Sequence, residues 1–466
     1  MQPNHLFYLL IAFLIPLILG HSIFSALIQK THFNKLMILA VSFGLGMGML
    51  AQWILILETI KLPVSLRNIS FPLMTLSLAL ICLKSLKKET KVYRPRPGKT
   101  SAMRFPMDKS PGNSPFTALT VVLLTSFVIF QTYFVFWRAI TVPIYSYDAI
   151  FYNALKAKIL FFEGTLEQLK DLEHVYYPLQ GPYTLSWVAL NLRTWNDQWV
   201  KIIFPILFIS YLIIQYYFIC QYTGKRKSLI GIALFCSAAF PIYHATIAYN
   251  DFYIMYFNML TIFFIIMGFD RDDRYFILAG LFAGFAAFTK TEGLGYLLIN
   301  VFLLLIFFFP KKHWSFRKKV NNFVKFITPA AGMCLLFYIY KLTNMIPLTP
   351  AHMTTDSAGD YLARMTNTLN VFGINMFLSN NWNFLWALLV FSLLANRNKI
   401  PKFFQIKYLL MILILYASLY FFVSVFTKSY VFIGGAYTKT VLSRIILHFF
   451  PICPMLIVLL NFQKEQ

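Results

Sequence analysis

The chain has 466 residues, 59% of them hydrophobic and only 12% charged, and its mean hydropathy is +0.65. That balance describes a polypeptide whose main solvent is lipid and excludes one whose main solvent is water. The net charge of +24 does not indicate nucleic acid as a partner, because the cations lie in loops between apolar runs rather than in a patch on a water-exposed fold.

A bilayer core takes about 20 apolar residues per helix, and such runs recur from Phe7 to Leu460. The chain therefore reads as an all-α polytopic membrane protein with about thirteen transmembrane helices. The first run, from Phe7 to about Ile28, is longer than a secretory apolar region and lacks a basic segment before it, so it is expected to be a retained span. Residues 1–83 form a three-span segment. Residues 84–115 follow as a flexible basic linker carrying Lys84, Lys87, Lys88, Lys91, Arg94, Arg96, Lys99, Arg104 and Lys109 against Glu89 and Asp108. The positive-inside rule makes this linker cytoplasmic. Residues 116–466 form a larger body of roughly ten spans. Counting span by span, Lys225-Arg226-Lys227, then Lys311 to Lys319, then Arg397 to Lys407 fall on the linker's side.

The opposite, extracytoplasmic side receives Thr141 to Asp197, the turn at Asn250-Asp251, Thr343 to Asn370 and Thr427 to Ser443. In the first and longest of these loops, Lys156, Lys158, Lys170 and Arg193 face Asp148, Glu163, Glu167, Asp171, Glu173 and Asp197, reversing the charge balance of the cytoplasmic loops. Asp148 to Phe162 reads as a largely apolar helix lying in the interface or against the bundle, ended by Gly164. Leu166 to Glu173 reads as a short polar helix, His174 to Pro182 as an irregular turn, and Pro182 to Leu192 as a further interfacial helix.

Between Phe276 and Gly293 a short apolar helix bearing Gly280-x-x-x-Gly284 runs into Thr289-Lys290-Thr291-Glu292-Gly293. At about 1.5 Å per residue, Phe276 to Phe288 spans roughly 20 Å against about 30 Å of hydrocarbon, which leaves Lys290 and Glu292 recessed in a protein cavity. The glycines are expected to serve helix packing. The five cysteines show no ligand spacing, so neither a disulfide framework nor a zinc site is indicated.

Seventeen acids are few enough to sort one by one. Those near the outer face are Asp148, Asp251, Glu292 and Asp197, with Glu58, Asp356 and Asp360 behind them. Ionisable groups in a membrane bundle cost several kcal/mol unless paired or wet, so they are candidate functional groups. For Asp148 and Asp251 the competing role is capping of the helix that follows. Lys290 with Glu292 also reads as an ion pair sealing a helix end. Arg444 and His448, four apart on one helix face, suit binding of a phosphate, against snorkelling and core packing as the plainer roles. Asp270-Arg271-Asp272-Asp273 reads as a solvated cytoplasmic turn.

Taken in order, Tyr147-Asp148-Ala149, Tyr176-Tyr177-Pro178, Asp251, Ala279 to Gly284 running into Thr289 to Gly293, and Arg444 to Pro451 resemble the C-type membrane glycosyltransferases. The likeness is to the bacterial relatives of protein O-mannosyltransferases and the lipid A aminoarabinose transferase, over roughly residues 116–460. The resemblance implies an inverting transfer of a sugar from a polyprenyl-phosphate donor to an acceptor hydroxyl on the extracytoplasmic face. It makes Asp148 the general base and Asp251 the second acid, with Lys290 and Arg444 stabilising the departing lipid phosphate. Tyr145, Tyr147, Tyr176 and Tyr177 would line the sugar cavity, with Lys156, Glu292 and His448 as further substrate-binding candidates. No cofactor is implied with certainty. Mannosyltransferases have an acidic pair where Ala149 follows Asp148, so a divalent cation is an open alternative. The acceptor class, whether lipid, glycan or protein, is equally open, and a bacterial plasma membrane is the expected location. The competing readings are a transporter or flippase and a polysaccharide polymerase or ligase.

Overall fold

The computed structural model describes residues 3–28, 33–89, 115–167, 169, 172, 174–311, 314–348, 354–355, 360–433 and 438–463. Most of the basic linker, the Leu166 to Glu173 segment in part, and Asp356 lie outside them. Among the described residues the regular structure is helical, and the one bridge between extended segments joins Thr355 to Thr427.

The N-terminal unit comprises α1 (Pro3–Leu27), α2 (Lys35–Thr59) and α3 (Leu66–Glu89). At the α1–α2 crossing a side chain on Gly46 would meet the Pro16 carbonyl, so the backbones touch only because glycine is there. The unit docks on the body through α1 and α2. Ser210 Oγ and Tyr256 OH donate to the Ala40 carbonyl at 2.9 and 3.2 Å, and Trp187 Nε1 donates to the Ala12 carbonyl at 2.7 Å.

Next, α4 (Pro115–Thr141) leads to a π-helical turn (Ala149–Ala154), α5 (Leu155–Glu163) and α6 (Gln180–Leu192). Gly164, at φ 71°, ends α5 in the left-handed conformation expected of a glycine terminator. Helix α6 is a correction to the sequence reading. All but one of its residues are buried, so it lies inside the protein rather than in the interface.

The body continues with α7 (Ile203–Thr223), α8 (Lys225–Ser237), α9 (Ala239–His244), α10 (Asn250–Asp270), α11 (Tyr275–Thr289), α12 (Glu292–Phe308) and α13 (Phe316–Thr343). It closes with α14 (Tyr361–Gly373), α15 (Leu385–Ala395), α16 (Phe404–Phe426), α17 (Tyr430–Ile433), α18 (Thr438–Leu447) and α19 (Ile452–Phe462). The apolar window of α10 is wholly buried, which makes it the central post of the bundle. Side chains at Gly280 and Gly284 would strike Phe326, Pro329 and Met333 of α13, so this pair packs helices as expected.

Eight described helices are long and apolar enough to cross a membrane, and α18 with α19, bent by 50°, makes a ninth. The protein is thus a polytopic helical membrane protein. The larger number expected from hydropathy includes α11, α12 and α15, whose 15, 17 and 11 residues reach only about 16 to 26 Å.

Candidate functional site

The break between α18 and α19, the start of α10 and the α11–α12 junction meet at one end of the bundle. Each break has a local cause. Pro451 stands where α18 ends and α19 begins, and Lys290 takes extended backbone (φ −151°, ψ 153°) between α11 and α12. These interruptions bring charged side chains together inside apolar surroundings.

Asp251, in the first turn of α10, has no exposed side-chain surface. Its Oδ2 accepts Arg444 Nε at 2.9 Å, and its Oδ1 accepts both Lys290 Nζ and His448 Nε2 at 2.9 Å. Arg444 also pairs through Nη1 with Asp148 Oδ2, so one guanidinium joins two carboxylates from distant parts of the chain. Lys290 reaches Glu292 Oε1 at 3.1 Å, and the Arg444 guanidinium lies 4.6 Å from the Tyr249 ring centre. Asp148 and Arg444 keep 19% of their side-chain surface exposed and Glu292 keeps 16%, so the cluster opens on that side.

Asp148 does not cap the helix that follows it, since its side chain makes no cap hydrogen bond. Asp251 likewise spends both oxygens on cations and His448. The Lys290–Glu292 ion pair is present, and it is extended through Lys290 to Asp251. His448 is fully buried. A carboxylate can only accept, so Nε2 donates to Asp251; in the neutral ring Nδ1 then accepts from the Tyr296 hydroxyl at 2.9 Å. Tyr296 and Tyr420 share a hydrogen bond of 2.5 Å behind it.

An aromatic wall adjoins the cluster. Tyr152 OH lies 2.7 Å from His174 Nε2, and His174 Nδ1 lies 2.8 Å from Tyr176 OH. Tyr177 packs on Tyr152, His174 and Tyr176 at ring distances of 5.4, 5.4 and 5.0 Å. Burial, with the nearby Glu292 carboxylate, pushes the Tyr177 phenol well above its usual range. Tyr147 stacks on Phe151 at 4.5 Å and is half exposed.

Two expected residues sit elsewhere. Lys156 is fully buried and donates to the His174 carbonyl at 2.9 Å, so it braces the aromatic turn rather than facing the cluster. Burial lowers its ammonium to about 8. Tyr145 turns towards α4 and α9, accepting from Arg138 Nη2 at 3.1 Å and donating to Tyr243 OH at 3.0 Å. Six other described acids have structural partners. Glu58 accepts the Leu166 N–H at 3.0 Å, Asp360 caps α14, and Asp197 accepts Trp195 Nε1 at 2.6 Å. Asp272 and Asp273 pair with Arg274 and Lys325, and Asp270 accepts from Tyr222 and Gln405.

Sequence reasoning passed over Tyr152, His174, Tyr249, Tyr296 and Tyr420. A usable signal existed for four of them. Tyr296 follows Glu292 and Tyr152 follows Asp148 by one helical turn, while His174 stands two residues before Tyr176 and Tyr249 two before Asp251. Tyr420 gives no signal without the fold.

A narrow pocket of about 20 Å³ lies beside the α11–α12 junction, lined by Pro178, Phe288, Thr291, Leu294, Phe337 and Lys341 among others. Among the described residues no group of three or more His, Cys, Asp or Glu is arranged to hold a metal, and Arg444 occupies the space between Asp148 and Asp251. The arrangement can bind an anion at Arg444 and Lys290 and offers Asp148, the more accessible of those two carboxylates, to a proton. No protein-family model, no curated protein and no solved structure matches this chain.

Proposed function

We propose that the chain is a C-type membrane glycosyltransferase that moves a sugar from a polyprenyl-phosphate donor to an acceptor hydroxyl, with inversion at the anomeric carbon. The carrying observation is the Arg444 guanidinium held between Asp148 and Asp251, with Lys290 on the far oxygen of Asp251. A donor phosphate competes with Asp148 for the guanidinium. Its arrival frees the carboxylate as a base at the moment the leaving group is bound. Asp148 then takes the proton of the acceptor hydroxyl, whose oxygen attacks the anomeric carbon. The bond from that carbon to the phosphate oxygen breaks, and its electron pair stays on the phosphate beside Arg444 and Lys290. Asp251 positions both cations, and Tyr176 and Tyr177 line the sugar's side of the cluster. Tyr147 completes that wall.

The charge distribution supports an extracytoplasmic site in a bacterial plasma membrane. Lys311 lies over Phe269 and Lys325 pairs with Asp273, both at the end of α10 remote from Asp251, as the positive-inside rule requires of a cytoplasmic face. A full complement of about thirteen spans then includes the short helices as interior elements that need not cross the bilayer alone. The test incubates purified protein with polyprenyl-phosphate sugars and compares it with Asp148→Asn. Transfer or donor hydrolysis by the wild type, lost in the variant, is the expected outcome.

A transporter or flippase is the second reading, and one observation favours it. From His448 a buried polar ladder leads into the bundle. Asn258 Nδ2 donates to the His448 carbonyl at 3.2 Å, Tyr416 to Asn258 Oδ1 at 2.8 Å, Asn300 to Tyr416 at 3.0 Å and Tyr408 to Asn300 Oδ1 at 3.2 Å. Movement of a lipid-linked substrate across vesicles by a protein that cleaves no donor would establish that reading in place of the first.

A further inference from the structure

A second opening, sharing no lining residue with the Thr291 pocket, lies where α8 meets α9. Helix α8 stops at Ser237, Ala238 takes extended backbone (φ −76°, ψ 126°), and α9 starts at a new angle. The step leaves an open groove of about 380 Å³ against α4, lined by Gln131, Phe134, Arg138, Ala239, Ile242 and Tyr243 among others. Gln131 lies seven residues before Arg138 on α4, so the groove runs about 10 Å along the helix. Exposed Trp137 beside Arg138 is the residue type that marks a membrane–water boundary.

Arg138 has no ion-pair partner among the described residues. Its side chain meets two neutral phenols, with Nη2 donating to Tyr145 OH at 3.1 Å and its guanidinium 5.5 Å from the Tyr243 ring centre. Nearby Lys201 is also without an ion pair among the described residues. Its Nζ is buried against the Pro143 and Thr246 carbonyls at 3.5 and 3.3 Å. An unneutralised guanidinium over an apolar trough matches an anionic head group with its acyl chain below. Groove residue Tyr243 also bonds to the segment that carries Asp148. Tyr145 OH donates to Tyr243 OH at 3.0 Å, Ser146 Oγ lies 3.4 Å from that hydroxyl, and Asp148 follows two residues later.

We propose that this groove binds an anionic lipid through Arg138, and that the acceptor of the transfer is such a lipid. The acceptor role rests on the transferase reading, whereas the binding site does not. A head group on Arg138 presents its hydroxyls towards Asp148, while the donor phosphate occupies Arg444 and Lys290. The two membrane-borne substrates then approach the cluster from different sides.

The test titrates purified full-length protein in a neutral detergent with short-chain phosphatidic acid and with phosphatidylcholine of the same chains, reading bound lipid by native mass spectrometry. Inorganic phosphate serves as competitor. Wild type is expected to prefer phosphatidic acid. Arg138→Ala should lose about tenfold in that affinity, the scale of a charge-assisted hydrogen bond. Ala239→Trp, which fills the trough without touching the charge, should lose binding of both lipids. Two outcomes overturn the site: unchanged preference in both variants, or inorganic phosphate binding at Arg138 as tightly as the lipid. Donor hydrolysis measured in the same preparations separates the two ideas. Hydrolysis kept while lipid preference is absent overturns the lipid site and the lipid acceptor and leaves the transferase reading standing. Lipid preference kept while no donor is cleaved overturns the acceptor role with the transferase reading and upholds the lipid site.

Discussion

Asp251 and Arg444 meet at 2.9 Å between Oδ2 and Nε, joining the first turn of the central helix to the last bent span. The carboxylate has no exposed surface, so its charge is tolerable only because Arg444, Lys290 and His448 all point at it. This pair is the structural centre of the cluster. The more exposed Asp148 is attached to it through the same guanidinium.

Removing the charge from Asp251 is therefore expected to cost stability more than chemistry alone would suggest. Asp251→Asn leaves Lys290 and Arg444 buried with one carboxylate fewer, a loss on the order of 3–5 kcal/mol for a broken buried pair. Thermal unfolding of the purified variant in detergent should show a markedly lower midpoint. An unchanged midpoint would mean that the cluster is wetter than its burial implies.

Asp148→Asn should behave in the opposite way. The side chain keeps its size at a site 19% exposed and Arg444 keeps its contact with Asp251, so the unfolding midpoint should fall less than for Asp251→Asn. Transfer from a polyprenyl-phosphate sugar should fall by about 10²–10⁴-fold, the usual contribution of a general base. Retention of most of the turnover number would remove Asp148 from that role.

Much of this site is legible in the chain because ionisable residues are rare in apolar runs. Asp148, Asp251, Lys290, Glu292, Arg444 and His448 stand out for that reason, and the structure brings all six into one connected network. Pairing among them is not legible, since it depends on where α10 and α18 cross. The burial of α6 escaped because part of its polar content is satisfied by the helix's own backbone and part by the N-terminal helices, through Gln180 on the Met47 carbonyl and Trp187 on the Ala12 carbonyl. Thr184 bonds to the Gln180 carbonyl and Asn191 to the Trp187 carbonyl, which lets a mixed sequence pass into the interior. Lys156 reads as a substrate-binding candidate because nothing in its sequence neighbours signals the His174 carbonyl that receives it.

Behind the acids, Tyr296→Phe tests the support of His448. The substitution removes the hydroxyl that bonds His448 Nδ1 at 2.9 Å and Tyr420 at 2.5 Å, leaving buried polar atoms short of a partner. A loss of about 1–3 kcal/mol in stability is expected. If His448 positions Asp251, turnover should fall with little change in KM. A change confined to the unfolding midpoint would make Tyr296 purely structural.

Lys156 predicts a pH dependence of stability whose sign follows from its burial. Its folded pKa is depressed to about 8 from a model-compound value of 10.5. Between those values the unfolded chain holds the proton and the folded chain does not, so stability rises as pH increases from about 8 to 10.5. Below pH 8 the full cost of keeping a buried ammonium is present. Lys156→Met keeps the chain length and removes the charge, at the loss of one hydrogen bond to the His174 carbonyl. It should stabilise the protein at pH 7 by about 2 kcal/mol net and flatten the rise. Unfolding midpoints of the two proteins measured from pH 7 to pH 10 should converge at the alkaline end. Parallel curves would mean that Lys156 keeps its proton in the folded protein across the whole range.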